Sequence, residues 1–88
     1  SKLTSEPNMR VAIHSIQKNL YEGVAEKLIC GTPQGQITVL NDHIPLITKI
    51  MGPAVITEDP DGRRHEVALP GGILEVRPES EVVILADS

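Results

Sequence analysis

The chain has 88 residues, a formal charge of -4 at pH 7 and 40% hydrophobic residues. That is the size of one domain with enough apolar content for a core. Tyr21 is the only aromatic residue, so nucleic-acid binding, which asks for a basic face and aromatic stacking platforms, is set aside.

Residues 1–8 are polar, contain Pro7 and show no periodicity, so they read as a lead-in to a single domain over 9–88. From Met9 onward the hydrophobicity alternates with a period near two, the pattern of strands half-buried in a sheet. Ile, Val and Leu supply nearly all of the apolar content, and branched side chains suit a pleated surface. The predicted runs are residues 9–15, 21–31, 35–40, 45–50, 53–58, 63–69, 71–76 and 81–86. The last, Glu-Val-Val-Ile-Leu-Ala, is almost continuously apolar and is expected to be buried on both faces. Asp59-Pro60-Asp61-Gly62 reads as a type I turn with Gly62 left-handed, closing a hairpin. Thr32-Pro33-Gln34-Gly35 and Arg77-Pro78-Glu79-Ser80 are two further turns. No apolar stripe has helical spacing, and Pro45 breaks residues 40–50 by removing a donor. The predicted fold is therefore all-β, a flattened sandwich or barrel of about eight to ten short, mostly antiparallel strands.

No apolar run approaches the roughly 20 residues of a membrane span, and no signal-peptide pattern opens the chain. The lone Cys30 rules out an intramolecular disulfide and a cysteine zinc site, and fits a reducing compartment. Acidic residues between Glu58 and Asp87 alternate with apolar ones, as on the solvated outer face of strands.

A search for chemistry comes up empty. His14, His43 and His65 are scattered, with no partner at metal-ligand spacing. His43, with Asp42 as orienter, is the one conceivable general base, but adjacent residues rarely orient each other, so a structural or interface role is favoured. Ser15, Ser80 and Ser88 lack a nucleophile-elbow context, and Glu22 and Glu26 read as outward strand positions. Gly71-Gly72 lacks the following helix that a phosphate cradle needs and instead suggests a close backbone approach. No catalytic residue, metal or cofactor is expected. The main rival is a lipoyl- or biotinyl-type carrier domain modified on Lys27, although that lysine sits in a strand pattern without a turn signal. A cupin-type enzyme would need a His-x-His pair, which is absent.

Three stretches taken in order carry a resemblance. Tyr21-Glu22-Gly23-Val24-Ala25 is similar to an aromatic-x-Gly-x-Val/Ala element. Residues 35–46, ending Asn41-Asp42-His43-Ile44-Pro45-Leu46, resemble a Gly-x-x-x-Ile-x-Pro-x-His-x-Pro-Leu pattern. Gly71-Gly72-Ile73-Leu74-Glu75-Val76, followed past a Pro turn by residues 82–87, resembles a Gly-Gly-x-Leu-Glu-Val … Val-x-Val-Leu-Ala-Asp segment. Together they resemble the epsilon subunit of F-type ATP synthases, called delta in mitochondria. Asn41 departs from the family's usual Pro, and Met51-Gly52-Pro53 from its usual Lys/Arg-Pro-Gly turn.

The resemblance implies a non-catalytic rotor subunit of the central stalk, docked on the γ subunit and the c-ring. It would couple ion-driven rotation to ATP synthesis, on the cytoplasmic face of a bacterial inner membrane or on an organelle membrane. Carried over by position, it implies Ser15, His43 and Thr48 toward γ and Gln36 toward the c-ring. Gly23, Pro45, Gly71 and Gly72 have structural roles in this reading. Typical members continue into a helical hairpin that restrains hydrolysis, and no such hairpin is expected within these residues.

Overall fold

The computed structural model describes residues 8–41 and 43–87, and every regular element among them is a strand. In chain order these are β1 (Met9–His14), β2 (Asn19–Ala25), β3 (Lys27–Thr32), β4 (Gly35–Leu40), β5 (Leu46–Glu58), β6 (Arg64–Ala68), β7 (Gly71–Arg77) and β8 (Glu81–Ala86). They form one sheet in the order β2-β1-β8-β7-β5-β3-β4, with β6 paired to β5. Every pairing is antiparallel except β1 with β8. Of the proposed lead-in over residues 1–8, all but Asn8 lie outside the described residues, as do Asp42 and Ser88.

The sheet becomes a sandwich because β5 serves two layers. Its first half, Leu46 to Met51, pairs with β7. Its second half lies between β3 and β6. Inward residues from both layers meet in one aliphatic core, which includes Val11, Ile13, Leu28, Val39, Ile50, Val55, Leu74, Val82 and Ile84. Burying each such side chain contributes about 1.5–3 kcal/mol, so the core needs no large aromatic. Tyr21, the one aromatic, lies on β2 with its ring centroid 5.8 Å from that of His65 on β6, joining the margins of the two layers.

The strand boundaries depart from the sequence reading in two places, for opposite reasons. Residues 21–31 are two strands, parted at Glu26, whose backbone N–H donates to the Glu58 carbonyl at 2.8 Å. The chain turns there from β1 as partner to β4 and β5, and apolar alternation continues across such a corner. Residues 45–50 and 53–58 are instead one strand bent at Gly52-Pro53. Proline usually ends a strand by lacking an N–H. Here the β3 ladder skips from Ile56 opposite Ile29 to Met51 opposite Gly31, so Pro53 interrupts no bond. A Cβ on Gly52 would stand 2.9 Å from the Pro70 carbonyl oxygen, which already accepts the Gly52 N–H at 3.2 Å.

The last strand also departs from expectation. Val82, Ile84 and Ala86 are buried, but Val83 is half-buried and Leu85 is exposed. β8 is covered on one face only, because nothing among the described residues packs on the outside of its layer.

Local chemistry fixes the turns. Gly62 has φ +86°, its N–H donates to the Asp59 carbonyl at 2.9 Å, and the Asp59 N–H donates to the Arg63 carbonyl at 2.9 Å. The Asp59 carboxylate locks the turn further. Its Oδ1 accepts the Asp61 and Arg63 N–H groups at 3.0 Å, and its Oδ2 lies 3.1 Å from His65 Nε2. The His65 hydrogen bond, then that from the Arg63 N–H, holds this carboxyl below the ordinary carboxylate range, against a smaller opposing effect of burial.

Three outcomes are expected. Thr57 is fully buried with no hydrogen-bond partner for its hydroxyl among the described residues. Thr57→Val keeps the shape and removes that unmet desolvation cost, so it should stabilise by about 1–2 kcal/mol, read as a higher urea midpoint at unchanged slope. Gly72 is buried between Ile50 and Ala86, and a Cβ there would overlap the Leu85 carbonyl oxygen and stand 2.9 Å from Ala86 Cα. Gly72→Ala should therefore destabilise by about 3 kcal/mol in the same measurement. Finally, because Asp59 has a lowered pKa in the fold, its stabilisation is complete above the ordinary carboxylate pKa and is lost as pH falls through the folded value. An acid titration of the unfolding midpoint should show a limb that Asp59→Asn diminishes; an identical limb in the variant would assign it to other carboxylates.

Candidate docking surface

The outward positions of adjacent strands line up in register on the layer formed by β2, β1, β8, β7 and the first half of β5. Ile47 faces Glu75, which faces Val83; Lys49 faces Ile73, which faces Leu85. In the parallel pair, Val83 aligns with Ala12 and Leu85 with His14. The result is an aliphatic band in which Ile47 is 69%, Leu85 54%, Met51 49% and Ile73 46% exposed, with Val83 and Ala12 half-buried beside them. Single exposed apolar residues are ordinary, but a contiguous set on one rigid face marks an interaction surface.

Charged side chains rim this band. Lys49, Arg10 and Arg77 supply positive charge and Glu22, Glu81 and Asp87 negative, while Glu75 lies within the band between Ile47 and Val83. Arg77 Nη2 and Glu75 Oε1 are 3.2 Å apart. Toward β2 the face dips into a groove of about 390 Å³ over Ala12, Val24 and Val83, bounded by Arg10, Glu22 and Glu81.

Ser15, His43 and Thr48 lie on three different elements. Ser15 follows β1, where its N–H donates to the Lys18 carbonyl at 2.9 Å. His43 is in the β4–β5 connection, with its N–H donating to the Leu40 carbonyl at 3.0 Å and Nδ1 lying 2.8 Å from the Ile44 carbonyl oxygen. Thr48 stands on β5 opposite Leu74, on the inward row with Leu46 and Ile50, and its hydroxyl donates to the Lys49 carbonyl at 3.2 Å. Gln36 is exposed at the start of β4, beside the β3–β4 turn. Pro45 is exposed just before β5, and Gly23 leaves room for the Tyr21 hydroxyl, 3.0 Å from where its Cβ would stand. Gly71 is buried beside Gly72. The aliphatic band was not singled out in the sequence, because outward Ile47, Ile73 and Leu85 are indistinguishable there from core residues.

Reactive chemistry is not assembled among the described residues. Burial pushes the Cys30 thiol up to about 11, so it stays protonated at neutral pH. No group of three or more His, Cys, Asp or Glu is placed to hold a metal ion. Asp59 and His65 pair, but that carboxylate is committed to turn amides. Lys27 opens β3 and faces Glu58 across the ladder, 3.9 Å from its carboxylate, and is not at a hairpin tip. Among the described residues, no helix is long and apolar enough to cross a membrane.

The described residues thus form a β-sandwich with an open aliphatic outer face. The family model described as "ATP synthase, Delta/Epsilon chain, beta-sandwich domain" matches residues 8–88, and the chain belongs to that family. The ATP synthase epsilon chain of Psychrobacter cryohalolentis is 36% identical over 80 residues, covering 91% of this chain and 57% of the relative. That of Chromobacterium violaceum is 37% identical over 82 residues, with the same coverage of 91% and 57%. The chain thus spans little more than half the length of these relatives. Two solved structures share its fold at low identity. One is a chain of the Euglena gracilis mitochondrial ATP synthase, OSCP/F1/c-ring (TM-score 0.83, 15% identity, covering 98% of this chain and 54% of that one). The other is from the Tetrahymena thermophila mitochondrial ATP synthase central stalk and c-ring (TM-score 0.72, 13% identity, covering 97% and 67%).

Proposed function

We propose that this domain is a non-catalytic part of the central stalk of an F-type ATP synthase, which rests against the γ subunit and the c-ring and turns with them. The observation that carries the reading is the aliphatic band of Ile47, Met51, Ile73 and Leu85 on a stiff sheet, in a chain of the delta/epsilon family. Shape-matched apolar contact gives affinity, and a mixed-sign rim fixes register. Rigidity is the mechanical contribution, since a close-packed aliphatic core transmits strain and does not absorb it. Within this reading Ser15 and His43 face γ and Gln36 approaches the c-ring, whereas Thr48, carried over with them by resemblance, stands on the inward row of β5 and apart from the outward band. The absence of charge at Gln36 makes that contact one of shape and neutral hydrogen bonding. In this reading the domain spans residues 9–88 and sits with the complex on the cytoplasmic face of a bacterial inner membrane or on an organelle membrane.

Titration against purified γ subunit tests this. The native chain should bind, and Ile73→Asp or His43→Asp should each weaken binding by about tenfold or more while leaving the thermal midpoint unchanged. Absence of binding by the native chain overturns the assignment, and unchanged affinity in both variants removes these residues from the interface.

A further inference from the structure

We infer that the same outer face pairs two copies of this chain when no other partner covers it. The inference rests on the docking role of that face, and it follows from the register of the strands.

Consider a twofold axis parallel to the strands, between β7 and β8, relating two faces laid against each other. Each outward residue then meets the residue equally far from the axis on the other copy. Ile73 and Leu85 are cross-strand partners on either side of that line, so Leu85 of one copy meets Ile73 of the second. One strand further out, Ala12 aligns with Val83 and Ile47 with Glu75, so Ala12 meets the second copy's Ile47. Arg77 and Glu81 are likewise partners across the line, which sets Glu81 of one copy against Arg77 of the other, twice by symmetry. An isologous contact must be self-complementary in this way. Two pairs contribute less. Glu75 falls opposite Val83 but stays bridged to its own Arg77 at 3.2 Å. Lys49 and His14 meet at the margin, where the His14 ring is hydrogen-bonded to Asn19.

The size of the face sets the strength. The four strands that pair across the axis, β1, β8, β7 and the first half of β5, lie about 4.8 Å apart, and with three outward rows about 7 Å apart they cover roughly 400 Å² per copy, about 800 Å² in total. That lies below the usual range for stable complexes, so the pair is weak and reversible. A larger partner on the same face displaces it, which makes pairing and docking mutually exclusive.

The test uses sedimentation velocity from about 10 µM to about 1 mM, the span over which a contact of this size dissociates. The native chain should shift from monomer to dimer within that range. Arg77→Glu and Glu81→Arg should each remain monomeric, because every copy then meets like charge. An equimolar mixture of the two variants should associate at least as well as the native chain, since each copy of one now meets opposite charge on the other. Ile73→Asp should stay monomeric even in mixtures. A native chain monomeric throughout, single variants that dimerise unchanged, or a mixture that fails to associate would each overturn the pairing. Binding to purified γ, measured on the same samples, separates the two readings. Monomers that bind γ sink only the pairing, whereas a dimer with no affinity for γ sinks only the stalk assignment.

Discussion

The sharing of β5 between two layers is the constraint on which the domain depends. A thirteen-residue strand pairs with β7 over its first half and with β3 and β6 over its second. The layers are therefore connected by continuous backbone hydrogen bonding, not by side-chain packing alone. Sliding one layer over the other would break ladder bonds as well as strip core residues from contact. The bend that allows this sharing needs close backbone approaches, and the chain meets that need with glycine at Gly52 beneath Pro70 and at Gly72 beneath Leu85. A small aliphatic core is stiff here because the strands enclosing it cannot move independently.

Much of this was legible in the residues, and what was not has a physical reason. The hairpin at Asp59 to Gly62 was readable because its determinants are local: an aspartate to accept turn amides and a glycine to take positive φ. The corner at Glu26 was not, since the alternation of Tyr21 to Gly31 runs unbroken while the partner strand changes. Gly52-Pro53 suggested a break for a sound reason, which fails only because β3 leaves a gap opposite Pro53. β8 looked doubly buried because composition reports what side chains prefer, not whether anything covers them. The aliphatic band escaped notice for the same reason, and it became visible only when register placed Ile47, Ile73 and Leu85 on one face. Ser15, His43, Thr48 and Gln36 came from family resemblance, and no periodicity in the chain would have selected them.

The described residues assemble no reactive centre on that surface. The one thiol is buried and protonated at neutral pH, and the one carboxylate–imidazole pair among the described residues is spent holding a turn. Among the described residues the outer layer carries Arg10, Lys49 and Arg77 against Glu22, Glu75, Glu81 and Asp87. A nearly balanced, patterned set of charges attracts no polyion strongly at a distance; it discriminates between alignments once contact is made. Such a surface suits a partner whose orientation matters more than its speed of capture.

Tyr21 carries one more consequence. With no tryptophan in the chain, the ultraviolet emission of the protein comes from a single phenol, and that phenol lies where the margins of the two layers meet, beside the ring of His65. The native optical signal therefore reports one seam of the sandwich and nothing else. Parting of β2 from β6 registers there, while events at the β3–β4 turn on the far side leave it dark.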